Sequence, residues 1–271
     1  MEPFTRNIAL TANIFNMLHT FFVSSPLDQF EVTKLISLDA PLLGSNLTLT
    51  NLGLYSVLVV IVFLGLHFLS VNSSRIVPSR YSIGFESAVT TMHISVKEQV
   101  GSANEQYLPF MYSLFFFILI ANLFGNVPYG YALTSSAIVA MGFSVMIFLG
   151  VTILAVSKHG FHFFSFFLPA GTPGPLVPLL VVIELISYVA RAFSLGIRLF
   201  ANLVAGHTLL KVLAGMLYGI MSSGLIFGAL SILPLGIFIG LVGLEIAVSF
   251  IQAYVFSVLT MSYLKDAIYL H

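Results

Sequence analysis

Glu184, Arg191 and Arg198 follow one another at intervals of seven residues, inside a run from Leu176 to Gly224 that is otherwise almost wholly apolar. In an α-helix seven residues return to within about 20° of the starting direction, so the three line one face. Asn202 adds a polar group one turn on. His207 stands nine residues past Arg198, about 180° round the helix and roughly 13 Å along it. A second apolar run, Leu225 to Leu264, does something similar, because Glu245, Gln252 and Asp266 follow at successive offsets of seven and fourteen. Glutamate, aspartate and histidine exchange protons; arginine stays protonated at any biological pH. An arginine at the centre of a bilayer costs about 2.5 kcal/mol or more, which implies a use for the charge. Proton carriers interrupted by a fixed cation do not make one continuous wire. They read as two partial wires: Glu184 with Asp266 at the inner end, His207 with Glu245 at the outer end. Arg198 stands between, repelling protonated carriers and attracting a deprotonated carboxylate.

Each of these residues also has a plainer reading. Arg198 could form a structural ion pair with Glu184 or Glu245 in a static bundle. Arg191 could extend its charge toward the inner surface rather than act directly. His207 could be a hydrogen-bonded packing residue. Within the chain no residue stands out as a counter-ion at the depth of Arg198, which points to a carboxylate on another subunit.

The elements that must position these groups are membrane helices. The 271 residues are 58% hydrophobic and 7% charged, against roughly 25% charged in a soluble domain. The zero net charge provides no bulk attraction for nucleic acid. The lack of cysteine excludes disulfides and thiolate chemistry. No nucleotide-binding loop of the GxxxxGK[ST] kind occurs, no cofactor is expected, and any ATP chemistry belongs to another chain. Residues 1–51 are mixed and polar, and could begin with a short cleaved leader. From residue 52 onward the chain reads as one integral membrane domain. Leu52 to Leu69 is a first span, Tyr107 to Val127 a second and Ala132 to Val156 a third, the last two joined by the short link Pro128 to Tyr131. Within 72–106, Ile83, Val89, Ile94, Val96 and Val100 recur at loosely helical spacing among charged residues, which suggests an amphipathic helix on the membrane surface. Lys158 to Pro175 is a loop rich in proline and glycine.

The two C-terminal runs are too long for upright spans. At 1.5 Å per residue they would reach some 60 to 70 Å, twice the hydrocarbon thickness. They either break or tilt. Pro178 and Pro234 stand only near their starts, which favours two long tilted helices packed as an antiparallel hairpin across Ser222-Ser223-Gly224. The expected fold is all-α: a polytopic membrane protein with one N-terminal span, a surface amphipathic helix, a short helical hairpin and two long tilted helices. Five spans put the termini on opposite sides. The side holding 70–106, Lys158 and Lys265 has five Lys/Arg against two on the other, so the C-terminus is expected inside.

Other motifs carry less. Gly215/Gly219 and Gly236/Gly240 are GxxxG pairs, common in membrane helices. His93 and Lys97 read as a solvated face and Lys211 as interfacial. His159 and His162 lack a nearby carboxylate and make a poor metal site. The sequons at Asn46 and Asn72 arise often by chance.

The stretch Ser194-Leu-Gly-Ile-Arg-Leu-Phe-Ala-Asn-Leu-Val-Ala-Gly-His207 resembles the signature of subunit a of the F-type ATP synthase in its mitochondrial form. Ser25-Pro-Leu-Asp-Gln-Phe-Glu31, Leu168-Pro-Ala-Gly171 and Tyr263-Leu-Lys-Asp-Ala-Ile-Tyr-Leu-His271 resemble fungal-like members especially. The resemblance implies a non-catalytic stator subunit pressed against a rotating ring of c subunits in the mitochondrial inner membrane. The other membrane and peripheral-stalk subunits would be partners, and the N-terminus would face the intermembrane space. It implies that Arg198 faces the ring carboxylate, that His207 and Glu245 serve the intermembrane-space half-channel, and that Glu184 and Asp266 serve the matrix half-channel. Asn202 and Gln252 match polar residues near the arginine, with Arg191 in support. A secondary transporter or channel subunit is the alternative; such proteins typically carry inverted repeats, and the two halves here show no similarity. A passive scaffold would give no reason for carboxylates at seven-residue spacing.

Overall fold

The structure is a computed structural model that describes residues 27–40, 45–70, 80–127, 130–167, 176–222 and 231–269. The six main helices are α1 (Asn51–Ser70), α2 (Arg80–Gln99), α3 (Leu108–Gly125), α4 (Ala137–His159), α5 (Val177–Ser222) and α6 (Ile232–Ile268). All except α2 are long and apolar enough to cross a membrane. The fold is therefore an all-α polytopic membrane protein. A candidate leader, the Asn72 sequon, the Leu168–Gly171 motif, the prolines of the 168–175 loop and the turn at 223–224 lie outside the described residues.

The five spanning helices are apolar on most sides, so hydrophobicity alone does not decide which face packs. Small and hydroxyl-bearing residues decide it instead, because lipid rewards close approach and paired polar groups rather than apolar burial. On α6 the buried positions include Ser249, Ala253, Ser257, Thr260 and Ala267. The hydroxyls of Ser249, Ser257 and Thr260 donate to the carbonyls of Glu245, Ala253 and Phe256, so none needs water. Leu244, Phe250 and Ile251 lie exposed on the other side.

Helix α3 is central. Its Leu114, Ile118 and Leu119 join Ile147 and Val151 of α4, Leu195 and Leu199 of α5 and Phe256 of α6 in the main core. Ile120 and Ala121 meet Val59 of α1. Helices α4 and α5 cross closely at Gly196, where a Cβ would stand 3.1 Å from Met141 Cα. There the Ser144 hydroxyl donates to the Ala192 carbonyl.

Three observations depart from the sequence reading. First, residues 34–50 hold an antiparallel hairpin, β1 (Lys34–Ala40) with β2 (Ser45–Thr50), pairing Ile36 with Leu49 and Ser37 with Thr48. Second, α2 packs through Met92, Val96 and Val100 onto Met111, Met261, Leu264 and Ile268, whereas Ile83, Val89 and Ile94 are exposed. The packed stripe follows i, i+4, i+8. Third, the chain stays helical to Phe167 through a 3-10 segment, Gly160–Phe167. The described part of the last helix begins at Ile232, and residues 225–230 of the expected run lie outside the described residues.

The two long helices are unbroken over 46 and 37 described residues, which corresponds to about 69 and 56 Å at 1.5 Å per residue. The last turn of α6 docks on the start of the second span: Asn104 Nδ2 donates to Tyr269 Oη at 3.1 Å. Gly101, at φ +94°, makes the turn beneath it.

Candidate functional site

Five ionisable groups of α5 and α6 fall into two clusters. In the first, Arg191 bridges two carboxylates, its Nη1 3.1 Å from Asp266 Oδ2 and its Nη2 3.6 Å from Glu184 Oε1. The seven-residue spacing places Glu184 and Arg191 on one face of α5, and the antiparallel course of α6 brings Asp266 up to it. The Arg191 guanidinium is thus engaged with two acids rather than extended alone toward a surface. Tyr263 Oη donates to the Arg191 carbonyl at 3.5 Å.

In the second cluster His207 Nδ1 lies 3.5 Å from Glu245 Oε1. Glu245 is 8% exposed, a depth at which a carboxylate is expensive unless partnered. Gly206 makes that depth available. A Cβ there would stand 2.8 Å from Glu245 Oε1 and 3.3 Å from its Cδ. Gly206→Ala is therefore expected to push the carboxylate off His207 and slow any proton transfer that uses the pair, by about tenfold for a displacement of under 1 Å. Proton flux measured in reconstituted vesicles checks this.

Between the clusters, Asn202 Nδ2 donates to Gln252 Oε1 at 2.8 Å, tying α5 to α6. Arg198 stands near this level but is exposed, beside Leu185, Ile186, Val189, Phe193 and Ile197 along one open apolar cleft of α5. It makes no ion pair among the described residues. The two intrachain acids that a static bundle would have offered it are engaged elsewhere, Glu184 with Arg191 and Glu245 with His207.

The sequence reading missed a polar stripe on α3. Asn126 Nδ2 donates to Ser249 Oγ at 2.9 Å, and Asn122 Oδ1 accepts from Thr134 Oγ1 at 2.8 Å. Asn122, Asn202, Glu245, Ser249 and Gln252 line one small cavity between α3, α5 and α6. Several buried atoms around it have no hydrogen-bond partner among the described residues: Glu245 Oε1, His207 Nε2, Asn126 Oδ1 and Gln252 Nε2. Such a lining suits water. The available signal was two asparagines four residues apart inside an apolar span.

The remaining candidates separate from these clusters. His159 Nε2 lies 3.2 Å from the Ile268 carbonyl at the end of α6, while His162 is exposed. His93 lies 3.8 Å from Glu105. Gly236 and Gly240 face open space. Among the described residues no cluster of three or more histidines and carboxylates suits a metal ion.

The sequence profile of the ATP synthase A chain family matches residues 53–265. The ATP synthase subunit a of Mycosarcoma maydis is 62% identical over 252 residues, which cover 93% of this chain and 99% of that relative. The subunit a of Yarrowia lipolytica is 48% identical over 253 residues, 93% and 99% of the two chains, and that of Saccharomyces cerevisiae 45% identical over 260 residues, 95% and 100%. With a profile running through most of the chain and relatives this similar over almost their whole length, the chain belongs to the ATP synthase subunit a family.

Proposed function

We propose that this chain is the proton-conducting stator subunit of a rotary ATP synthase in the mitochondrial inner membrane, and that it forms two half-channels against a ring of c subunits. The observation that carries the reading is the sorting of charge along α5. Arg191 with its two acids and His207 with its one lie sixteen residues apart, about 24 Å along the helix axis, and the fixed cation Arg198 stands between them on an open face.

The chemistry follows from that order. A proton arriving from the intermembrane space passes by His207 and Glu245 to a carboxylate on the ring. Neutralised, that site turns into lipid, which would exclude it as an anion. On return it meets the first cluster and releases its proton toward Glu184 and Asp266, on the matrix side. Arg198 attracts the bared carboxylate and repels protons that would otherwise cross directly. Arg191 holds Glu184 and Asp266 together despite their like charge. Asn202 and Gln252 keep α5 and α6 in register beside the arginine. The excess of Lys/Arg on the side of the C-terminus supports its placement toward the matrix.

Cross-linking tests the reading cleanly because the chain has no cysteine of its own. A cysteine at Phe193 or Ile197 is expected to form a disulfide with one placed beside the carboxylate of the c subunit, since both positions flank Arg198 on the open cleft. A cysteine at Ile138, exposed on α4, is the control. Equal yields at the three positions, or a bond at Ile138 alone, would rule out the proposed ring face.

A further inference from the structure

His207 has one ring nitrogen near Glu245, and what holds the ring in that orientation lies far away in sequence. The ring of Phe30 meets it in an edge-type contact, with ring centroids 6.1 Å apart and planes at 65°. Phe30 belongs to a short 3-10 turn, Asp28–Phe30, and the backbone around it is tied down at three points. Tyr131 Oη donates to the Phe30 carbonyl at 3.4 Å. Asn51, the first residue of α1, donates from its side chain to the Glu31 carbonyl and from its backbone to the Thr33 carbonyl, both at 3.1 Å. The segment 28–33 is thus a strap fixed at the starts of two structural units, with an aromatic ring pressed on His207.

The packing matters because a change of side-chain rotamer would swing the imidazole, and Nδ1 with it, away from Glu245. No hydrogen bond among the described residues selects the orientation from the other side. Nε2 is buried without a partner there, and it points toward Gly125, where a Cβ would lie 3.3 Å from it. The ring is held in place by packing: Gly125 leaves room for Nε2, and Phe30 packs against the ring.

We propose that Phe30 is a positioning residue for proton entry, acting through His207 by holding the imidazole in the rotamer that lies beside Glu245. The inference rests on the assignment of His207 and Glu245 to the outer path. It gives the N-terminal segment a part in the path that its distance in sequence conceals.

A double-mutant cycle in the assembled, reconstituted complex tests it, with proton-driven synthesis normalised to assembled complex. Phe30→Ala is expected to slow synthesis roughly three- to tenfold, the range that an aromatic edge contact supports. Phe30→Tyr, which keeps the ring, should restore most of the rate. In a His207→Gln background, which has no ring to orient, Phe30→Ala should cause no further loss. If Phe30→Ala fails to assemble, Phe30→Leu takes its place, keeping volume without an aromatic edge. An unchanged rate in Phe30→Ala, or the same fold loss in both backgrounds, overturns the proposal, because the contact would then be irrelevant or merely structural. An unchanged rate in His207→Gln alone is a separate result: it removes His207 from the outer path.

Discussion

Arg198→Ala is expected to end proton-driven ATP synthesis while leaving the subunit assembled. The side chain is exposed and makes no ion pair among the described residues. Its removal leaves no buried acid unpaired among them, so the usual source of a large stability loss is missing. What disappears is the fixed cation between the two acid clusters that α5 and α6 share. In a low-dielectric site the attraction between a guanidinium and a carboxylate is worth several kcal/mol, and each 1.36 kcal/mol corresponds to tenfold in rate. Synthesis should therefore fall by more than about a hundredfold. The passive proton permeability of vesicles carrying the membrane sector should rise, because the barrier between the two clusters has gone. Native electrophoresis measures assembly, and a pH-sensitive dye reports the leak. A variant that still synthesises ATP at a normal rate would refute the barrier role. Arg198→Lys is the informative partner: it keeps the charge but loses the planar fork, so it should restore the barrier better than the synthesis.

Much of the frame behind this expectation is legible in one dimension. The five spans follow from length and composition, and the long C-terminal helices from the position of Pro178 and Pro234. That Glu184 and Arg191 share one face of a helix follows from a spacing of seven. The spacing could not foretell that Arg191, rather than Arg198, meets Asp266. That depends on how α6 slides along α5, a register set by contacts such as Asn202 with Gln252 and the close approach of Glu245 to Gly206. The part played by Asn122 and Asn126 was hidden for a related reason: a lone asparagine in an apolar helix has no meaning until the helix opposite is known. The hairpin at 34–50 was visible as Asn46-Leu-Thr-Leu-Thr50, an alternation with period two, but a composition dominated by membrane helices drew the reading elsewhere. The contact of Phe30 with His207 joins residues 177 positions apart, and no local pattern encodes such a meeting.

Glu245→Gln should separate carrier from barrier. The substitution is nearly isosteric, so the carboxamide would fit where the carboxylate now fits, over Gly206 and against His207. It also replaces a buried acid by a neutral group, which removes a desolvation cost rather than adding one. Assembly should be unaffected. A carboxamide does not accept and release protons as a carboxylate does, and loss of a positioned acid–base group typically costs 10²- to 10⁴-fold. Proton-driven synthesis and ATP-driven pumping should both slow by about a hundredfold. The passive leak should stay at its original level, because Arg198 still stands between the clusters. Glu245→Asp should lie in between: it keeps the acid but draws it back by one methylene from a His207 now 3.5 Å away. The contrast with Arg198→Ala is the decisive feature. One variant blocks the path without opening a leak; the other opens a leak without blocking entry. If Glu245→Gln raised the leak, or left synthesis at its normal rate, the His207 and Glu245 pair would have to be reassigned to packing, and the outer path sought instead along Asn122, Asn126 and Ser249.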